Sequence, residues 1–224
     1  MREWLRGEAA SDRYLSETVL NYADWEAGQA LKPTRVAGFY LCPVWEDPRP
    51  EPGEIILRLE PGLAFGSGYH PTTRTCLGCL RELYAQDAPA RVLDLGTGTG
   101  VLALAALALG AQRVIGVEYN DLAVRTAARN VRHNRKETEI FLIQGDARHF
   151  AHLAAELVCA NIHLDVLLDL LAVPGFFNKT WYIFSGILGS QAHRFLEALA
   201  ATPLTPLQVL EENLWFTILA RRQQ

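Results

Sequence analysis

Four cysteines in 224 residues are too few for a disulfide-stapled scaffold, and a chain this long, half of it hydrophobic, can bury a core of its own. Cys76 and Cys79 form a C-x-x-C, but no second such pair and no histidine pair at ligand spacing accompanies it, so zinc is not indicated. Apolar residues recur around these two thiols at helical spacing, which predicts that both are buried on one helix face. The six histidines, at 70, 133, 149, 152, 163 and 193, are scattered, and His149 with His152 has no third ligand within reach in sequence. No metal is expected.

A basic surplus is also missing. Lys plus Arg number 21 against 25 Asp plus Glu, a net charge of -4, which leaves nothing to neutralise a phosphate backbone non-specifically; nucleic acid is not an expected partner. The longest apolar run, residues 101–110, is about half of what crosses a bilayer. Residues 1–10 interleave Arg2, Glu3, Arg6 and Glu8 with Trp4 and Leu5, unlike a secretory signal. The expected location is the cytoplasm, without membrane contact. Internal repeats and low-complexity tracts are absent, and a single chain does not reveal its oligomeric state.

What is present divides at one linker-like stretch. Residues 43–53 carry Pro43, Pro48, Pro50 and Pro52, separating a head too small to fold alone from a longer body. We therefore expect an N-terminal helix and linker segment over 1–53 and a catalytic domain over 54–224. The head reads as a charged helix over about 3–30 and a strand over 38–45. The body begins with a strand at 54–60 and a glycine-rich loop, then a helix from about 72 to 84. Strands at 91–95, 113–118, 139–144, 157–160 and 181–184 then alternate with helices at 101–109, 122–133, 164–171 and 190–200. This alternation predicts a mostly parallel sheet covered on both faces. The tail, 207–211 and 214–220 around Glu212 and Asn213, predicts an antiparallel hairpin.

The sharpest local signal is VLDLGTGTG over 92–100, a strand entering a glycine turn and then a helix. Glycines there permit a tight turn and let a ligand lie against backbone N–H groups. Counted as G-x-G-x-x-G from Gly96, the third place is Val101, so the dinucleotide template fails and an NAD enzyme is disfavoured. Three acids follow at successive strand ends. Asp94 lies two residues before the first glycine, where it orients the loop or reaches a ligand amino group through water. Glu118 comes 22 residues after Gly96, the place for an acceptor of ribose hydroxyls, and Asp146 could accept from the adenine amino group. Together they describe a site for an adenosine without phosphates.

These residues resemble the class I S-adenosylmethionine-dependent methyltransferases. EPGLAFGSGYHPTT over 60–73, CANI over 159–162 and FSGIL over 184–188 are more specifically similar to the bacterial methyltransferases of ribosomal protein L-eleven, from about Trp25 to the C-terminus. The resemblance implies a Rossmann-like, seven-stranded α/β fold with a C-terminal antiparallel hairpin, and S-adenosylmethionine as cofactor. It implies that Phe65, Gly66, Gly68 and Thr73 lie over the methionine part, with Gly96 and Gly98 beneath it. Glu118 would take the ribose, Asp146 with Ala147 the adenine, and Asn161 would face the transferable methyl and the incoming amine.

Two positions depart from the family pattern. Tyr69 stands where the family usually has threonine and is expected to pack as a lid; His163 replaces an apolar residue and is expected half-exposed at a helix start, or else to take a proton from an amine. The family's N-terminal substrate-recognition domain has no counterpart in the roughly 24 residues before Trp25, and we expect a chain without it. The reaction expected is N-methylation of a protein amine, a lysine side chain or N-terminus, with a ribosomal protein as the leading substrate. The alternatives are a relative acting on another protein or a small amine, and a non-catalytic binding module.

Overall fold

The computed structural model describes residues 32–60 and 64–223; the helix expected over about 3–30 lies outside them. From Lys32 onward the chain is one compact unit. It opens with a three-stranded sheet of β1 (Thr34–Val36), β2 (Phe39–Pro43) and β3 (Ile55–Leu59). Strands β1 and β2 are antiparallel across a tight turn at Ala37 and Gly38, both at positive φ, whereas β2 and β3 run parallel with Phe39 opposite Ile55. The boundary expected at 53 and 54 thus falls between two paired strands.

Helix α1 (Pro71–Gln86) starts where Pro71 takes the first helical position and the His70 side chain accepts from the Thr72 N–H, the arrangement that suits an N-terminus. Then β4 (Arg91–Leu95), α2 (Val101–Leu109), β5 (Arg113–Glu118), α3 (Asp121–His133) and β6 (Ile140–Gln144) alternate. A one-turn helix α4 (Ala147–Phe150), β7 (Leu157–Asn161), α5 (Leu164–Leu171), β8 (Trp181–Leu188), α6 (Gly189–Ala200), β9 (Leu204–Glu212) and β10 (Trp215–Arg222) complete the order. Helix α4 and strand β1 have no counterpart in the periodicity because they are too short to show one.

The main sheet has seven strands in the order β6-β5-β4-β7-β8-β10-β9. The first five are parallel, and β10 pairs antiparallel with both β8 and β9 to make the expected C-terminal hairpin. Asn213 and Leu214, both at positive φ, make the two-residue hairpin turn between β9 and β10. One face is covered by α1 and α2 with Val131 of α3, the other by α5 and α6. Helix α2 is buried from Val101 to Leu107, which explains why its sequence is apolar on every side. Cys76 and Cys79 are free and buried on α1. No helix among the described residues is long and apolar enough to cross a membrane.

Strand order reverses between β4 and β7. In an open parallel sheet that reversal leaves a crevice at the carboxyl ends of the strands.

Candidate functional site

The crevice is a cavity of about 590 Å3, within the range that holds a small-molecule ligand. Its floor is the turn after β4. Gly98 has φ +55, and a Cβ there would come 2.3 Å from the Phe65 carbonyl oxygen, so only glycine lets the turn and the 64–70 loop meet. That meeting is hydrogen-bonded: the Thr99 N–H donates to Phe65 O (2.9 Å) and the Thr99 hydroxyl to Gly66 O (2.8 Å).

Around the floor stand side chains from successive strand ends. Glu118, closing β5, accepts from the Gly98 N–H at 3.1 Å and the Asn120 N–H at 2.9 Å. Each carboxylate oxygen keeps a second lone pair for a ligand hydroxyl. Asp146 follows β6 as the cap of α4 and accepts from the Arg148 N–H at 2.9 Å. The Arg148 guanidinium also holds this carboxylate through Nε (2.9 and 3.1 Å) and Nη2 (2.5 Å). Those hydrogen bonds pull the Asp146 pKa down to about 2. Asn161 ends β7 and lines the cavity beside Ile162, His163 and Gly186.

Six of the expected residues therefore share one cavity: Phe65, Gly96, Gly98, Glu118, Asp146 and Asn161, with Ala147 beside them. Gly66, Gly68, Thr73 and Asp94 do not line it. Gly66 and Gly68 sit behind the wall, where a Cβ would strike the Thr99 hydroxyl oxygen at 2.6 Å and the Leu41 side chain at 2.2 Å. Thr73 and Asp94 are each 1 % exposed, and each keeps one buried oxygen, Thr73 Oγ1 and Asp94 Oδ1, without a hydrogen-bond partner. The other Asp94 oxygen accepts from the Thr97 hydroxyl at 2.6 Å. Burial pushes the Asp94 carboxyl up to about 7, against the pull of that hydroxyl and with a smaller push from Glu118.

Tyr69 is not a lid. It does not line the cavity; its phenol oxygen donates to Lys32 O and accepts from the Lys32 N–H, both at 2.7 Å, because the loop turns it toward β1 rather than inward. His163 takes the cap position of α5 without capping it and is exposed at the cavity edge. Sequence reasoning missed three wall residues. His70 packs edge-on between Phe65 and Trp215, with ring centres 4.8 Å from each; Arg148 was hidden by its surface-like context. Trp215 arrives from β10 and carries no local signal. Burial, and then the charge of Arg74, lower the His70 pKa, which favours the neutral ring.

The glycine floor, a carboxylate with free lone pairs at the end of β5 and an acid at the end of β6 fit an adenosine-bearing cofactor. Among the described residues no cluster of His, Cys, Asp or Glu is placed to hold a metal ion.

Residues 8–223 match the family described as ribosomal protein L11 methyltransferase (PrmA). Ribosomal protein L11 methyltransferase of Exiguobacterium sibiricum is 36% identical over 215 residues, 92% of this chain and 66% of that protein. The protein of the same name from Desulfitobacterium hafniense is 38% identical over 203 residues, 89% of this chain and 64% of its own. A solved structure of ribosomal protein L11 methylase from Lactobacillus delbrueckii subsp. bulgaricus superposes with a TM-score of 0.74 at 31% identity, covering 84% of this chain and 96% of that one. The chain spans about two thirds of the length of the curated relatives it matches.

Proposed function

The chain belongs to the ribosomal protein L11 methyltransferase (PrmA) family, whose members use S-adenosylmethionine, and from that premise we propose that it methylates a protein amine, with a ribosomal protein of the L11 kind as substrate. The observation that carries this reading is the convergence of Glu118, Asp146 and Asn161, from three different strands, on the cavity above Gly96 and Gly98. In this reading residues 32–224 are the catalytic body and the enzyme works in the cytoplasm, where ribosomes are.

Bound S-adenosylmethionine supplies a methyl group on a sulfonium centre. Glu118 accepts the ribose hydroxyls, Asp146 and Ala147 hold the adenine edge, and the turn at Gly96 and Gly98 supports the methionine end under Phe65. Gly66 and Gly68 act from behind that wall by letting the loop pack against Thr99 and Leu41, and Asp94 orients the turn through Thr97. Asn161 accepts N–H bonds from the incoming amine through its side-chain and backbone carbonyls, which aims the nitrogen lone pair. A lysine, with an ordinary pKa near 10.4, must arrive neutral, and the wall of Phe65, His70 and Trp215 disfavours its ammonium form by desolvation.

The test incubates the purified protein with methyl-labelled S-adenosylmethionine and a bacterial extract split into ribosomes, soluble protein and small molecules. Label on the ribosomal protein is expected. Label confined to another fraction would assign a different acceptor, and cofactor binding without label anywhere would make the chain a binding module. Asn161→Ala is expected to lose about 100-fold in turnover while its affinity for S-adenosylhomocysteine holds, since misplacing a reacting group costs rate rather than binding.

A further inference from the structure

Helix α3 contributes a side-chain device that the cofactor reading does not use. Asn130 is fully buried, yet every polar atom of its amide is occupied: Oδ1 accepts from the Glu60 N–H at 2.6 Å, and Nδ2 donates to Glu60 O at 3.1 Å and to Thr99 O at 2.9 Å. One turn later, Asn134 repeats the first half of this pattern two residues earlier on the strand. It accepts from the Arg58 N–H at 3.0 Å and donates to Arg58 O at 2.7 Å. The pair acts as a substitute strand along the open edge of β3; the third bond of Asn134 goes back to Asn130 O at 2.7 Å, whereas that of Asn130 goes to Thr99.

The location of that bond decides its meaning. Glu60 is the last residue before the loop that supplies Phe65 and Gly66, and Thr99 belongs to the floor turn that supplies Gly96 and Gly98. Thr99 is itself bonded to Phe65 and Gly66, so Asn130 ties Glu60 to the same turn residue that holds the loop behind the cavity wall. From this we propose that Asn130 is a positioning residue for the cofactor: one buried amide sets the spacing between the two glycine-rich segments that enclose the methionine end. The proposal rests on the cofactor reading above. Asparagine suits the position because it combines one acceptor and two donors on a short, neutral stem.

The experiment measures S-adenosylhomocysteine binding by calorimetry for the wild type, Asn130→Ala, Thr99→Val and Asn134→Ala, with the thermal midpoint of each. Thr99→Val preserves volume and removes the hydroxyl bond from the turn to Gly66 while the backbone bonds to Phe65 and Asn130 remain, so it reads the coupling of turn and loop if Asn130→Ala fails to fold. Asn130→Ala and Thr99→Val are expected to bind about tenfold more weakly, as the loss of one buried hydrogen bond allows. Asn134→Ala is expected to lose a comparable amount of thermal stability and to keep wild-type affinity within about twofold, because it clamps β3 without touching the turn. Equal weakening in Asn130→Ala and Asn134→Ala would overturn the proposal by making the clamp merely structural. Unchanged affinity in Thr99→Val, or in a folded Asn130→Ala, would overturn it as well. A wild type that does not bind would instead overturn the cofactor reading, and the positioning role with it.

Discussion

Asp94 and Asp146 are chemically the same side chain held in opposite electrostatic conditions. Asp94 is buried, and its carboxyl rises from 3.8 to about 7; Asp146 meets a guanidinium and falls to about 2. Between about pH 4 and pH 7 the native state therefore holds a proton on Asp94 that the unfolded chain has released, so this group's stabilisation is present at low pH and lost as pH rises through 7. A plot of unfolding free energy against pH is expected to fall less steeply over that window in Asp94→Asn than in the wild type. For Asp146 the question is competition. Arg148 fills the lone pairs that the adenine amino group would use, so Arg148→Ala is expected to bind S-adenosylhomocysteine as tightly as the wild type or up to about tenfold more tightly, whereas Asp146→Ala weakens it. Calorimetry distinguishes the two. Both aspartates were legible in sequence from their places at strand ends; their charge states were not, because those depend on complete burial in the case of Asp94 and on the hydrogen bonds of Arg148 in the case of Asp146.

Among the elements, β8 and β10 show how tertiary pairing extends what a sequence pattern begins. The apolar run predicts a strand at 181–184, yet β8 continues to Leu188 because Ile187 and Leu188 pair with Phe216 and Trp215 of β10. Within that extension Gly186 sits at φ +84, and a Cβ would lie 2.4 Å from the Ile162 carbonyl oxygen. Backbone cannot rotate away as a side chain can, so Gly186→Ala is expected to destabilise the fold by more than about 1–3 kcal/mol and to shift Ile162 beside Asn161. Chemical denaturation would measure the first effect and turnover the second. Strand β9 begins earlier than its apolar run because it is an edge strand, where Pro206 can sit without breaking a central ladder. Behind β8, Thr217 links Thr75 of α1 to Ser185 at 2.6 and 2.5 Å. Thr217→Val is expected to cost about 1 kcal/mol, since both remaining hydroxyls keep backbone acceptors.

For the whole molecule, binding and folding are linked. A ligand held only by the native state adds about 2.7 kcal/mol at 100 times its Kd. For a protein of this size that corresponds to a rise of about 5–10 °C in thermal midpoint with S-adenosylhomocysteine, and none with NADH. A shift with NADH alone would reverse the choice made at Val101. The alternation of short apolar strands and helices determined the doubly covered sheet, since burial on both faces requires that pattern. The glycine turn and the acids at the strand ends determined which edge carries the site, because ligands collect where strand order reverses. Tertiary structure alone decided that His70 and Trp215, 145 positions apart in numbering, form one wall with Phe65, that Tyr69 points to Lys32 instead of the cavity, and that Asn130 joins two loops. Each of these depends on side chains meeting across long sequence separations, and local periodicity carries no record of such meetings.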